Sequence, residues 1–177
     1  MHQLPKLTLV LGGAKSGKSR LAEGLVRRCG LPRNYIATAE AWDDEMRARI
    51  ARHKVDRGAD WVTREAPLAV GPVLADIPAG QVVLLDCATL WLTNHLLRNA
   101  DIAAESAGLL AGLASCAAPV VVVSNEVGWG IVPENALARA FRDHQGQLNQ
   151  MMAAEADLVI AVMAGLPIVL KGVMPTT

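Results

Sequence analysis

GGAKSGKS, residues 12–19, decides how this chain folds. It fits the pattern G-x-x-x-x-G-K-[ST], which works only between a strand and a helix. Both are present. KLTLVLGG (6–13) reads as a short buried strand ending in glycines, and SGKSRLAEGLVRRCG (16–30) reads as a helix that Gly30 stops. Gly12 and Gly17 let the backbone fold tightly around an anion. The amide N–H groups through Gly13, Ala14, Lys15 and Ser16 turn inward, and the helix adds its positive end. Lys18 is expected to reach the β and γ phosphates of a nucleotide, and Ser19 to hold Mg²⁺.

Outward from this cradle, strand and helix signals alternate. RNYIATAE (33–40) is a strand candidate, and AWDDEMRARIARHKVDRG (41–58) a helix with acids in its first turn and bases in its last. DWVTRE (60–65) reads as extended, and APLAVGPVLADIP (66–78) as a helix broken at Gly71-Pro72. QVVLLDCATLWL (81–92) starts as a buried strand and turns near Asp86; residues 93–117 read as helix in two pieces. PVVVVSNEVG (119–128) is the most apolar strand, and residues 133–156 form a long helix with Pro133 near its start. DLVIAVMAGLPIVLKG (157–172) reads as two strands about a Gly165-Leu166-Pro167 turn. The alternation predicts the α/β class, a mostly parallel sheet flanked by helices. The final pair is too close for a helical crossover, so the edge strand near the C-terminus is expected to be antiparallel.

Composition narrows the function classes. The 177 residues suit one domain, 1–177, and just over half of them are apolar, with few aromatics. Lys plus Arg and Asp plus Glu balance at 17 each, which argues against non-specific nucleic-acid binding. Three cysteines, with no C-x-x-C pair, fit a reducing compartment rather than a disulfide framework. The absence of a leader-like start and of any run near the ~20 apolar residues that span a bilayer predicts a cytoplasmic protein without stable membrane insertion.

Asp86 ends the run VVLLD, so its carboxylate is expected on the ligand edge of the sheet, where it could bind Mg²⁺. Capping the helix that follows is its other reading. Glu126, after VVVVSN, is a second strand-end carboxylate with ligand or turn as equal readings. Trp42, Met46, Ile50 and His53 are spaced to share one helical stripe. By spacing alone, His53 is slightly better read as a histidine satisfied by a backbone carbonyl than as a reactive group. Arg139 and Arg142, one turn apart, read as a solvated face or as a phosphate or subunit contact.

GGAKSGKS, YIATAEAWDDEM, RIARHKVDR with the following W and T-R-E, LLDCATLWLTN, VVVSNEVGWGIVPENALARAFRD and NQMMAAEADLVIAVMAGLPIVLKG together resemble one family. It is the bifunctional adenosylcobinamide kinase / adenosylcobinamide-phosphate guanylyltransferase family of cobalamin biosynthesis, and the resemblance runs from about residue 8 to 172. The cradle is common to many families; YIATAEA, the spaced histidine segment and SNEVGWGIVP are far more specific. The resemblance implies a RecA-like P-loop NTPase domain and a homotrimer. It also implies two reactions: phosphorylation of adenosylcobinamide by a nucleoside triphosphate (ATP or GTP), then transfer of GMP from GTP to the resulting adenosylcobinamide phosphate. In that family the histidine matching His53 becomes guanylylated, so the resemblance makes His53 a nucleophile with Lys18 as its catalytic companion. It also makes Ala37, Thr38, Ala39, Lys54, Val55, Asp56, Arg57, Glu65 and Asp86 nucleotide contacts, with Ser19 and Asp86 on the metal. Lys15 stands where arginine is common, and Gly58-Ala59 replaces a frequent proline, which leaves the chemistry intact and bears on the mobility of the histidine helix.

A RecA-like ATPase acting on nucleic acid would need a basic or aromatic stacking surface, which the neutral chain lacks. A non-catalytic nucleotide-binding module would leave Lys18, Ser19, Asp86 and His53 idle.

Overall fold

The computed structural model describes residues 3–175; the side chains of Arg49, His53, Lys54, Asp56 and Arg57 lie outside the described part. The elements run β1 (Leu7–Gly12), α1 (Lys18–Arg28), β2 (Arg33–Ala37), α2 (Asp44–Arg57), β3 (Trp61–Glu65), α3 (Val70–Ala75), β4 (Val82–Asp86), α4 (Ala88–Leu97), α5 (Ile102–Ser115), β5 (Val120–Asn125), α6 (Ala136–Glu155), β6 (Leu158–Met163) and β7 (Leu166–Lys171). One seven-stranded sheet has the order β3-β2-β4-β5-β1-β6-β7. Every pairing is parallel except β6 with β7. This is the mostly parallel α/β arrangement expected from the sequence, including the antiparallel edge.

The central strands are apolar on both faces because both faces are covered. Along β4, Val83 and Leu85 point into one core and Val82 and Leu84 into the other; β5 divides Val120 and Val122 from Val121 and Val123 in the same way. The first core is closed by α3, α4, α5 and α6 through residues such as Leu74, Trp91, Leu113 and Leu148. The second is closed by α1 through Ala22, Leu25 and Val26, with Tyr35 and Trp61 packed edge-to-face beside them. Each fully buried Val or Leu contributes about 1.5–3 kcal/mol, so the two cores fix the strand register before any site residue is considered.

Three boundaries differ from the sequence reading. The helix expected over 41–58 begins at Asp44, because the Asp43 carboxylate caps it by accepting the Met46 N–H at 2.7 Å. Trp42 therefore precedes the helix, exposed, with the Arg98 guanidinium 5.6 Å above its ring, and does not share the stripe of Met46 and Ile50. The helix expected over 66–78 shrinks to α3, where Gly71 and Pro72 occupy the first turn and Pro72 forfeits no hydrogen bond. The final turn is Ala164-Gly165, both at positive φ (53° and 80°), as a two-residue hairpin requires. Leu166 and Pro167 are the first residues of β7, an edge strand that tolerates proline.

Candidate active site

The cradle forms where expected. Gly17 caps α1 at φ 98°, and Lys15 also adopts the left-handed region at φ 54°. Gly12 has no room for a side chain: a Cβ there would lie 2.8 Å from the Val162 carbonyl oxygen and against the Ser16 hydroxyl. The loop is braced by the β6–β7 turn, where the Gly165 N–H donates to the Ser16 carbonyl at 2.8 Å. Lys18 Nζ donates to the Gly13 carbonyl at 3.0 Å, which sets its ammonium over the loop.

Register brings the other expected residues to the same edge. Ala37, the last residue of β2, is paired with Glu65 of β3 on one side and Asp86 of β4 on the other. A cavity of about 660 Å³ opens above them. Ala14, Lys15, Lys18, Ser19, Ala37, Ala39, Glu65, Asp86 and Glu126 all line it. Met46 and Ile50 also line it, so α2 forms one wall.

Other expected contacts fall elsewhere. Thr38 is fully buried and its side chain does not reach the cavity. Its hydroxyl donates to the Cys87 carbonyl at 2.7 Å and accepts the Cys87 N–H at 2.8 Å, which ties the end of β2 to the end of β4. Val55 is exposed and lies outside the cavity lining. The side chains of His53, Lys54, Asp56 and Arg57 lie outside the described part, although their backbone belongs to α2. Arg139 is turned to the carbonyls of Pro133 and Glu134, and Arg142 pairs with Asp143 at 3.0 Å.

The structure adds residues that lie within the matched segments but to which the sequence reading gave no role. The Tyr35 hydroxyl donates to Asp86 Oδ2 at 2.9 Å and fixes that carboxylate at the cavity floor. Asn125, at the end of β5, and Glu40 also line the cavity. Glu40 is held by Arg98 through both oxygens, at 2.9 and 3.1 Å. Tyr35 is the one tyrosine of the chain, on a strand otherwise apolar toward its end, and that was the available signal. Asn125 lies in the family-specific segment SNEVGWGIVP, but that segment gave it no role, because its place depends on which strands flank β5.

Cys87 lines the cavity and caps α4, its sulfur accepting the Leu90 N–H at 3.5 Å. Burial, reinforced by the neighbouring Asp86 charge, pushes its thiol up to about 12. It therefore stays protonated at neutral pH and is no nucleophile. Burial raises Cys29 as well.

The family model described as cobinamide kinase / cobinamide phosphate guanyltransferase matches residues 8–170. The chain belongs to this family. Its curated relatives agree. The bifunctional adenosylcobalamin biosynthesis protein CobP of Pseudomonas aeruginosa is 47% identical over 167 residues, covering 93% of this chain and 96% of that protein. The bifunctional adenosylcobalamin biosynthesis protein CobU of Escherichia coli is 42% identical over 181 residues, covering 93% and 99%. Among solved structures, a Pyrococcus horikoshii protein described as a structural study of Project ID PH0250 is 9% identical, has a TM-score of 0.56, and covers 97% of this chain and 89% of its own; it shares the fold alone. As a cobinamide kinase / cobinamide phosphate guanyltransferase, the chain is a bifunctional nucleotide-dependent transferase of cobalamin biosynthesis. The cavity at the cradle is the one place where its described residues gather a phosphate loop and strand-end carboxylates. Among those residues, no helix is long and apolar enough to cross a membrane.

Proposed function

We propose that this chain phosphorylates adenosylcobinamide and then joins GMP to the new phosphate through a guanylyl-histidine at His53. The observation that carries the reading is the convergence of Lys18, Ser19, Asp86 and the α2 wall on one cavity. In the kinase step, the hydroxyl of the aminopropanol arm attacks the γ-phosphorus of ATP or GTP. The bond from that phosphorus to its bridging oxygen breaks, the nucleoside diphosphate leaves, and the hydroxyl proton passes to solvent. Lys18 and the cradle amides hold the departing β-phosphate and offset the charge it gains.

In the second reaction, a neutral His53 imidazole attacks the α-phosphorus of GTP. An N–P bond forms and pyrophosphate leaves. A phosphate oxygen of adenosylcobinamide phosphate then attacks the same phosphorus, and the N–P bond breaks to give adenosylcobinamide-GDP and free His53. What supports His53 is its place in α2, three residues after Ile50 and seven after Met46, both of which line the cavity, together with the family match.

Mg²⁺ fits the residues present. Ser19 and Asp86 supply hard oxygen donors beside the cradle, and Tyr35 orients Asp86. Among the described residues, no cluster of three His, Cys, Asp or Glu side chains could hold a metal alone. That matches an ion bound chiefly through nucleotide phosphates and water. Among the described residues the lining carries four carboxylates (Glu40, Glu65, Asp86, Glu126), Glu40 being paired with Arg98, against two lysines, so added positive charge favours a polyphosphate there. Bound there, Mg²⁺ would neutralise the charge that develops on the leaving phosphate. Ala37, Ala39 and the cradle residues 12–19 are assigned to the nucleotide, with Glu65 offered to a guanine edge; Lys54, Val55, Asp56 and Arg57 follow from the family match alone.

We assign residues 1–177 to a single catalytic unit acting as a homotrimer in the cytoplasm, without nucleic acid. Exposed Leu166, Ile168 and Leu170 on the edge strand support assembly, and three buried free cysteines support a reducing compartment.

The test is covalent labelling. Wild type and His53→Ala are incubated with Mg²⁺ and GTP labelled at the α-phosphorus, then denatured. An acid-labile, alkali-stable adduct on wild type alone is expected. No adduct on either, with GTP binding intact, removes the guanylyl-histidine step and leaves a kinase.

A further inference from the structure

β5 lies between the cradle strand β1 and the Asp86 strand β4, and Asn125 ends it, in register with Gly12. The backbone at this position is gripped from both sides. The Asn125 N–H donates to the Thr89 hydroxyl at 2.8 Å, and its carbonyl accepts from Asn149 Nδ2 at 3.0 Å. The next peptide is fixed as well, since the Glu126 N–H donates to the Gly12 carbonyl at 3.1 Å.

Asn149 is itself held. Its side-chain oxygen accepts the Ser124 hydroxyl at 2.7 Å and Gln145 Nε2 at 2.9 Å, and Gln145 Nε2 also donates to the Ser124 oxygen at 2.9 Å. Ser124 and Gln145 are fully buried, and Asn149 nearly so. Polar groups in an aliphatic core weaken it unless they are satisfied, so four of them arranged around one strand end call for a reason. Their common effect is to fix the Asn125 backbone. Asn125 lines the cavity with Lys18, Ser19 and Asp86, and its hydrogen bonds to described residues run through its backbone.

We propose that Asn125 is a catalytic residue: its side-chain amide donates a hydrogen bond to the phosphoryl group in transfer, between the cradle and Asp86. Thr89, Ser124, Gln145 and Asn149 are the positioning residues that aim it. A neutral amide suits the task. It stabilises a phosphoryl oxygen without competing with Lys18 for the bridging oxygens, and it does not gain or lose a proton near pH 7. A donor locked before the reaction needs no reorganisation at the transition state, which is where such groups act most strongly. The proposal rests on reading the cavity as the kinase site, but it concerns the phosphoryl group and not the acceptor.

The test uses the full chain with Mg²⁺. Affinity is measured for ADP alone and for ADP with aluminium fluoride, a mimic of the transferring phosphoryl group, alongside the rate of phosphorylation of adenosylcobinamide by ATP. For wild type, fluoride is expected to tighten ADP at least tenfold. Asn125→Ala should keep ADP affinity within about threefold, abolish the fluoride increment, and lower kcat about 100-fold with the KM for ATP little changed, in line with the loss of one such donor. Asn149→Ala, with a melting temperature read in parallel, should lower kcat less and leave ADP affinity intact. No increment in wild type, an increment kept in Asn125→Ala, or parallel losses of ADP affinity and melting temperature would overturn the assignment. An Asn125-dependent increment without phosphorylation of adenosylcobinamide would retain the inference and sink the acceptor reading.

Discussion

At the scale of the residue, chemistry and restraint are kept apart. Asp86 and Cys87 both line the cavity, but the Cys87 sulfur caps α4 and its backbone is tied to the Thr38 hydroxyl. The raised Cys87 thiol has a consequence for stability. Its ordinary value is 9.0 and its folded value about 12. Between these, the unfolded chain releases the proton and the native chain retains it, so the native state binds more protons and stability falls as pH rises. From about pH 9 to 12 this one group costs at most about 1.4 kcal/mol per pH unit. Urea midpoints measured across that range should fall more steeply for wild type than for Cys87→Ser, whose hydroxyl does not titrate there. Below pH 8 the two slopes should coincide. At neutral pH, iodoacetamide should label Cys29, Cys87 and Cys116 only after denaturant is added, because all three are buried.

Elements carry the site by where they end. The phosphate loop was legible because its glycines repeat a fixed spacing: Gly17 takes positive φ, and Gly12 has no room for a Cβ between Ser16 and the Val162 carbonyl. Asp86 and Glu126 were legible as strand ends for a similar reason. The start of α2 was not, since three acids in a row, Glu45 among them, gave no sign that Asp43 alone caps it. Thr38 was expected at the nucleotide through the family resemblance; its burial depends on Cys87 lying opposite, which is a matter of register. The bracing of the loop by the C-terminal hairpin was also invisible, as it joins Ser16 to Gly165 across the whole chain. That brace can be tested. Gly165 sits at φ 80°, so Gly165→Ala should cost about 1–2 kcal/mol in chemical denaturation. It should also weaken MgATP measurably in a titration, whereas Gly80→Ala, at φ 82° in a loop away from the cavity, should share the stability loss and spare the affinity.

At the scale of the molecule, the two cores divide the work. The face closed by α3, α4, α5 and α6 is the larger, and α5 contributes no residue to the cavity. Leu113 of α5 is 1% exposed, and Leu113→Ala should cost about 2–5 kcal/mol in a urea titration while ATP affinity stays within twofold. A fall in affinity matching the loss of stability would show that the edge of the sheet depends on the far helix layer. The α/β class itself was readable from the alternation of periods, because parallel strands buried on both faces leave runs such as VVLLD and VVVVSN. The strand order was not readable, and with it went the place of Asn125.

The order β5-β1-β6 has a bearing on synthesis. The first strand made is the one that carries the phosphate loop, yet both of its neighbours leave the ribosome more than a hundred residues later. At the ~5–20 residues per second of translation, LTLVLG waits many seconds with both hydrogen-bonding edges open. The nascent chain thus exposes this apolar segment for much of its elongation, and it acquires a nucleotide grip only as the last strands appear. Expression of this protein should accordingly respond to translation speed and to trigger-type chaperones more than its modest size would suggest.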